Sequence, residues 1–328
     1  MLLRSAARVA CLLAALLLAA LPVDAAEKIR VGVLKFGTVN WELSTIRHHR
    51  LDAAEGIDLE VLELASEDAT GIALQAGSVD VIVTDWLLVS RQRAAGDDLT
   101  FHPFSSSVGA IMVPEGSPIR SLGDLKGRVL GVAGGPLDKN WLMIQALAKR
   151  DGLDLGSEAT LNYGAPPLLA EKALQGELDA TLNFWQYCAR LEAKGFRRLL
   201  TGAEAAKALG AQGPVAAIGY VFHEKWAEAH KDAMLGFLRA SKAAKEILRS
   251  SDEEWHRLAP LVKAGDEATL KTLMQRFREG IPARPLADEQ ADAARLYAVL
   301  AAIGGEKLVG PSSTLSPGTY WIHAGEGP

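Results

Sequence analysis

Short apolar runs alternate with segments that favour helix over the first part of the chain that follows the N-terminal apolar stretch. The predicted strands are residues 28–34, 57–64 and 79–83, and the predicted helices between and after them are residues 41–54 and 86–95. Gly56 ends the first helix. Regular alternation of strand and helix predicts a mostly parallel sheet with helices on its faces.

The alternation changes twice further along, and these changes predict two lobes. Residues 100–114 form an extended stretch, which we interpret as a first crossing between lobes, and residues 213–222 are predicted to cross back. In the second lobe, residues 121–132 are predicted to form a short helical turn that leads into a strand, 138–150 a helix and 160–163 a brief strand. The predicted division is 1–25 signal peptide, 26–112 plus 216–328 lobe 1, and 113–215 lobe 2.

The last third of the chain is predicted to be helical, and its tail is predicted to be loose. The helices are expected at 233–248, 251–263, 266–277 and 287–303. The tail that follows is rich in Gly, Pro and Ser, with Trp321 as its one candidate anchor.

A duplicated phrase supports two similar lobes. Residues 73–86 (ALQAGSVDVIVTDW) and 173–185 (ALQGELDATLNFW) align after one deletion, so that Gly77 matches Gly176, Asp80 matches Asp179 and Trp86 matches Trp185. Each copy resembles a helix end, a turn, a short strand and a Trp just past the strand. Ligands in open α/β sheets bind outside the carboxyl ends of strands. Both Trp residues are therefore candidates for a shared cleft, with burial in the core as the alternative.

The N-terminus has the pattern of a cleavable signal peptide. Arg4 and Arg8 precede an uncharged apolar run at 9–21, and small residues around Ala25 suit cleavage. The run is short for a membrane span, which leaves an uncleaved anchor as the alternative. We expect the mature chain to be periplasmic.

Charge and cysteine content limit the range of possible functions. Removing the signal peptide takes the formal net charge from −5 to about −6, which argues against nucleic-acid binding. The mature chain keeps one cysteine, Cys188, so it has no internal disulfide, and we expect that thiol to pack as a small hydrophobe.

The segment 113–135, with Asp-Leu-Lys-Gly before a Val/Gly strand, resembles the entry to the second lobe of type II periplasmic solute-binding proteins of ABC importers. The repeat, the signal peptide and the helical last third are similar to the branch that serves nitrate, taurine, sulfonates and pyrimidine precursors. The resemblance implies an α/β fold of two hinged lobes that close over a small molecule. It also implies an ABC permease in the inner membrane as partner, and we expect a monomer.

On that layout, the candidate ligand-binding residues follow strand ends or lie at the hinge. They are Thr38, Asn40, Trp41, Asp85, Trp86, Ser106, Gly135, Lys139, Trp141, Asn183, Trp185, Arg190 and Tyr220. Four of the seven Trp residues belong to this set. Cations such as Lys139 suit an organic anion, whereas Asp85, Asp138 and Glu67 oppose one unless they are paired.

The number of Trp residues among these candidates favours a flat ligand, because a planar molecule can stack on the face of an indole ring. The best candidate is pyrroloquinoline quinone, a planar polyacid held between Trp86 and Trp185. The alternatives are nitrate, taurine, or an aliphatic or aromatic sulfonate.

Catalysis is not expected. The chain lacks the nucleophile elbow, zinc-protease and P-loop motifs. His48 and His49 are adjacent and form a poor metal pair, so no metal and no catalytic cofactor is predicted. A pyrimidine-precursor-type enzyme and a periplasmic accessory that hands on a cofactor stay as alternatives, with Cys188 and His102 as rough catalytic candidates.

Overall fold

The computed structural model describes residues 26–322, so the predicted signal peptide lies outside the described residues. The strands are β1 (Glu27–Leu34), β2 (Ile57–Leu64), β3 (Val81–Thr84), β4 (Leu99–Ser105), β5 (Ala110–Pro114), β6 (Val129–Ala133), β7 (Thr160–Gly164), β8 (Ala180–Asn183), β9 (Phe196–Thr201) and β10 (Ile218–His223).

Helices cover the faces of the sheets and form most of the last third of the described chain. They are α1 (Val39–His48), α2 (Leu51–Ala54), α3 (Glu67–Gln75), α4 (Trp86–Ala94), α5 (Lys139–Arg150), α6 (Leu155–Glu158), α7 (Pro166–Leu174), α8 (Trp185–Glu192), α9 (Gly202–Ala208), α10 (Glu224–Ala229), α11 (Lys231–Ser250), α12 (Asp252–Val262), α13 (Glu267–Glu279), α14 (Leu286–Gly304) and α15 (Glu306–Val309). The helix predicted at 41–54 is in fact two, because Arg50 adopts a left-handed backbone (φ 54°) between α1 and α2.

The strands form two five-stranded sheets with equivalent order. The first sheet has the order β2-β1-β3-β10-β4 and the second β7-β6-β8-β5-β9. In each sheet three neighbouring strands are parallel, and the strand that enters from the other lobe, β10 or β5, pairs antiparallel with both of its neighbours. We refer to each sheet with its flanking helices as a lobe. The two-lobed α/β prediction is confirmed.

The two copies of the repeated segment make equivalent contacts in the two lobes. Asp80 accepts a hydrogen bond from the Arg30 backbone N–H at 2.8 Å, and Asp179 accepts one from the Val129 N–H at the same distance. Each carboxylate therefore ties the start of β3 or β8 to the neighbouring parallel strand. Gly77 and Gly176 both have positive φ, 64° and 76°, and allow the chain to leave the preceding helix. The shared residues specify the same turn and register twice.

The chain passes from the first sheet to the second between Ser105 and Ala110 and returns ahead of β10. The strand β5 lies wholly in the second sheet, although the predicted lobe boundary after residue 112 falls within it. The exact division into domains stays a prediction.

The C-terminal helices form hydrogen bonds with both segments that cross between the lobes. At the first, Ser106 N–H donates to the Gly280 carbonyl at 2.8 Å, just after α13. At the second, Gln212 and Gly213 N–H groups donate to Asp292 on α14 at 2.9 and 3.1 Å, and Ala216 N–H donates to Glu289 at 3.1 Å. The positions of the lobes therefore depend on α13 and α14 as well as on the crossing segments.

The end of the described chain is anchored rather than loose. Tyr320 forms a parallel bridge with Phe101 on β4, the outer strand of the first sheet. Phe101 N–H donates to the Thr319 carbonyl at 2.8 Å, and Trp321 N–H donates to the Phe101 carbonyl at 2.9 Å. Trp321, 3% exposed, packs on Phe222. These contacts cover an edge that would otherwise present unpaired backbone groups.

Candidate functional site

The loops that follow the parallel strands of the two sheets meet between the lobes, and one salt bridge joins them. Lys139 is the first residue of α5, after β6, and its Nζ lies 2.7 Å from Asp85 Oδ2 at the end of β3. Both side chains keep about a quarter of their surface exposed. The other oxygen of Asp85 caps α4 by accepting from Leu88 N–H at 2.8 Å. Asp85 thus fixes a helix start and an interlobe contact at once.

The charge state of this pair is set by its geometry. Burial would raise the pKa of Asp85, but the ammonium of Lys139 and two backbone N–H groups outweigh it, so the pKa is lowered. Burial would lower the pKa of Lys139, but Asp85 and two further carboxylates raise it. Both groups are therefore ionised at neutral pH.

Those further carboxylates are Glu67 and Asp138. Partial burial of its carboxylate, and after it the nearby Asp85, raises the pKa of Glu67 at the start of α3, although the residue as a whole is exposed. Burial also raises the pKa of Asp138, which caps α5 by accepting from Trp141 N–H at 3.0 Å. No salt bridge from the described part of the chain reaches either carboxylate. One ammonium and three carboxylates therefore share the region between the lobes.

Exposed apolar side chains lie at the same ends of the sheets. Phe36, in the loop after β1, is 72% exposed, and Tyr163 near the end of β7 is 45% exposed. Leu137, just before α5, is 43% exposed. Large apolar side chains exposed at the strand ends of both lobes are typical of a surface that receives an organic molecule.

The structure does not support the prediction that Trp86 and Trp185 hold a flat ligand between them. Trp86 is 4% exposed, donates from Nε1 to the Ala216 carbonyl at 3.0 Å and packs on Tyr297 at 6.4 Å between ring centroids. Trp185 is 6% exposed and packs edge-on against Trp41 at 5.8 Å. The two rings belong to different hydrophobic clusters. The structural basis for pyrroloquinoline quinone is thereby lost.

The four candidate Trp residues belong to hydrophobic clusters that include residues of both lobes. Trp86 of the first lobe shares a cluster with Trp141 of the second, and Trp41 of the first shares another with Trp185 of the second. Trp141 is fully buried and Trp41 is 5% exposed, and contact of either ring with a ligand stays a prediction. These residues follow strand ends as predicted, but their rings point into packed seams.

Charged residues near Trp185 form a second set of contacts between the lobes, which join α8 to α12 and α13. Arg276 on α13 donates two hydrogen bonds to Glu192 on α8, at 2.7 and 3.0 Å. Arg190 donates to the Val262 and Lys263 carbonyls at the end of α12. Arg190 therefore binds a helix end of the other lobe, and its predicted contact with a ligand stays a prediction. The sequence gives no signal for these contacts, because the partners lie more than seventy positions apart.

Some of the remaining candidates form hydrogen bonds inside a lobe, and others lie in loops or at a crossing. Tyr220 is fully buried and donates to Glu42 at 2.6 Å inside the first lobe, and its predicted contact with a ligand stays a prediction. Asn40 donates to the Leu34 carbonyl, and Asn183 donates to the Pro166 carbonyl, so both brace strand ends. Thr38 is buried, and Ser106 is held at the first crossing. Gly135, with φ 81°, lies in the loop before Lys139. Ligand contact by these last residues stays a prediction.

Cys188 packs as predicted. Its side chain is fully buried, and burial raises its pKa to about 12, so the thiol is neutral and inaccessible.

The described residues include two groups whose geometry would suit a metal ion. One consists of His48, His49 and Glu254, and the other of Asp97, Asp98 and His223. Glu254 is already bound by Arg257 at 2.6 Å. Asp97 and Asp98 precede β4, at the end of the sheet opposite the interlobe loops.

Within residues 26–322, no helix has the length and apolar character needed to cross a membrane.

Solved structures of similar fold include periplasmic binding proteins. The periplasmic aliphatic sulphonate binding protein SsuA from Escherichia coli superposes with a TM-score of 0.71 at 20% identity, over 91% of this chain and 93% of that one. The alkanesulfonate-binding protein SsuA from Xanthomonas axonopodis pv. citri, bound to MOPS, gives 0.65 at 19% identity, over 90% and 98%. The Candida albicans CA3427 gene product, described as having the generic periplasmic binding protein fold, gives 0.59 at 11% identity, over 91% and 99%.

These similarities confirm the fold that the resemblance implied. The curated proteins gave no match to the sequence. The NMT1/THI5-like family profile matches residues 53–254, well over half of the chain, and the protein therefore belongs to the NMT1/THI5-like family.

Proposed function

We propose that the protein is a periplasmic solute-binding protein that takes up a small organic solute between its lobes and presents it to an ABC importer. The observation that carries this proposal is the meeting of strand-end loops from two equivalent sheets at the Asp85–Lys139 salt bridge. In α/β sheets such strand ends are the usual place for ligands. Phe36, after β1, and Tyr163, near the end of β7, are exposed apolar side chains at strand ends of the two lobes.

The class of solute is a small molecule with a charged group. The similar structures from Escherichia coli and Xanthomonas are sulfonate-binding proteins, which supports a sulfonate-type solute over a three-ring quinone. Lys139 is the cation that a sulfonate would approach. The packed Trp rings leave the quinone without the two faces on which that hypothesis depended.

Binding is supported over thiol catalysis. A nucleophilic cysteine needs a thiolate, and the buried Cys188, with its pKa of about 12, does not supply one at neutral pH. Delivery of the solute to a permease, rather than to a periplasmic enzyme, is part of the proposal.

The test begins with the protein released from the periplasm under native conditions. Native mass spectrometry should detect a small molecule bound at one per chain. A thermal-shift series should then include the recovered solute, aliphatic and aromatic sulfonates, taurine, nitrate and pyrroloquinoline quinone. At a hundred times its dissociation constant, a true ligand stabilises the folded state by about 2.7 kcal/mol. If no small molecule co-purifies and no compound raises the melting temperature, the protein is not a solute-binding protein of this kind.

A matched pair of variants locates the binding. Lys139→Met should alter affinity for the recovered solute, because it removes the only ammonium in the described cluster. Lys149→Met, at the exposed far end of the same helix, should leave affinity unchanged. Equal effects of the two changes would place the solute elsewhere.

A further inference from the structure

Three charged side chains at the end of α8, at alternate positions along the chain, bind groups on α12 and α13. Arg190 donates to two carbonyls at the carboxyl end of α12, and Glu192 accepts two hydrogen bonds from Arg276 near the end of α13. Lys194, two residues after α8, donates from Nζ to Asp266 Oδ2 at 2.6 Å, at the start of α13. We call these three side chains and their partners the α8 latch.

The latch joins the two lobes, because α8 flanks the second sheet whereas α12 and α13 pack on the first lobe. Glu254 of α12 accepts a hydrogen bond from the Thr45 hydroxyl of α1 at 2.7 Å. Phe277 of α13 packs on Trp255 of α12, with 5.2 Å between the ring centroids. A hinge motion that carries α8 away from these helices therefore has to break the latch.

The latch charges keep partners when the lobes separate. Glu192 also accepts two hydrogen bonds from Arg198 of its own lobe, at 2.9 and 3.0 Å. Arg276 also donates to Glu279 of its own helix at 2.7 Å. The third ion pair is about half exposed on both sides, so water can solvate its charges. Separation thus leaves no charge of these pairs both buried and unpaired, which is what makes the loss of a buried ion pair costly. Contacts of this kind can break and form again without unfolding either lobe.

We propose that the α8 latch holds the lobes in the closed arrangement when no solute is bound, and that its ion pairs set the ratio of closed to open molecules. All of its contacts are direct, from side chain to side chain or to backbone, so none of them requires a solute. A solute that binds the closed form has an apparent affinity proportional to the closed fraction. The latch therefore adjusts affinity through side chains that need not touch the solute.

This inference goes beyond the proposed function, because it concerns the protein without solute. The test measures the distance between the lobes after any bound molecule has been removed by unfolding in urea, dialysis and refolding. Ile72→Cys on α3 and Leu168→Cys on α7 place spin labels at exposed positions on the two lobes, and the buried Cys188 stays unlabelled. Double electron–electron resonance should show a major population at the shorter, closed distance.

Two substitutions weaken the latch from the first lobe. Asp266→Asn removes the ion pair with Lys194 but keeps the helix cap, since Asp266 accepts from Thr269 N–H at 2.8 Å and Asn caps equally well. Arg276→Gln removes the two hydrogen bonds to Glu192 and leaves that carboxylate with its second partner. Each should lower the ratio of closed to open molecules about threefold or more, and the two together about tenfold.

Asp252→Asn is the matched control. Asp252 begins α12 and pairs with Arg278 at 2.7 Å, but both residues belong to the first lobe. This variant should keep the distance distribution of the unmodified protein. A mostly open population in the unmodified protein would overturn the inference, and so would latch variants that match the control. Either result leaves the proposed function to its own test, because no solute is present.

Discussion

Glu289 makes the stability of the protein depend on pH near neutrality. Its side chain is 1% exposed, on the first turn of α14, and burial raises its pKa from 4.5 to about 7. The backbone N–H of Ala216, at the return crossing, and the hydroxyl of Tyr320 donate to it, and Arg284 lies nearby, but these groups do not offset the loss of water. The folded protein therefore holds a proton on Glu289 that the unfolded chain releases.

The sign and size of the effect follow from proton linkage. Between pH 4.5 and pH 7 the folded state binds more protons than the unfolded state, so the free energy of unfolding falls as pH rises. Each unit of pKa corresponds to about 1.4 kcal/mol, so the loss from this one group is about 3 kcal/mol in total. It is complete above pH 7. Below pH 4.5 both states are protonated and the group costs nothing.

Glu289→Gln separates this group from the others that titrate. Glutamine keeps an acceptor for Ala216 N–H and cannot ionise. Urea unfolding of both proteins from pH 4.5 to pH 8 should give equal free energies at the acidic end. At pH 8 the variant should be more stable by about 3 kcal/mol. Asp288→Asn, at the exposed neighbouring position, should follow the unmodified protein throughout. A difference between Glu289→Gln and the unmodified protein that does not change with pH would refute the reasoning.

Three other outcomes follow from the packing. Trp185→Ala should lower the free energy of unfolding by about 3–5 kcal/mol in urea, because the ring fills the seam with Trp41; an unchanged midpoint would place the ring outside the core. Asp179→Ala should cost about 1–3 kcal/mol by leaving Val129 N–H without its acceptor, with exposed Asp151→Ala as control; equal midpoints for the two variants would contradict the register role. Cys188 should resist a thiol reagent at pH 8 in the folded protein and react on unfolding, and rapid labelling of the native state would contradict its burial.

The elements and their grouping could be predicted from the sequence, because they depend on local patterns. The strand at 57–64 and the helices of the last third agree with the observed β2 and α11–α14 to within a few residues. The helix at 41–54 was predicted as continuous because Arg50 carries no sequence sign of its left-handed backbone. The tail was predicted to be loose because its composition is that of a loop, whereas its anchorage comes from β4, more than two hundred positions away.

The ligand site could be predicted only in part. A strand end can be located from a pattern, but the direction of the next side chain depends on what the other lobe presents. Trp86 and Trp185 occupy the same place in the repeat, yet one meets Tyr297 on α14 and the other meets Trp41 on α1. Asp85 and Lys139 also follow strand ends, and both are partly exposed between the lobes as predicted. A charged pair gains less free energy from full burial than an indole ring does.

The C-terminal helices explain why the two copies of the repeat diverge. α14 contributes Tyr297 to the cluster that holds Trp86 and also carries Glu289 and Asp292, which bind the return crossing. α13 contributes Phe277 beside Trp185 and Arg276 beside Glu192, and its end binds the first crossing through Gly280. Each helix therefore joins one Trp-containing seam to one crossing. A movement that separates the lobes would have to break the Arg276–Glu192 contacts as well as the Asp85–Lys139 bridge, so the last third of the chain contributes to the energy of opening.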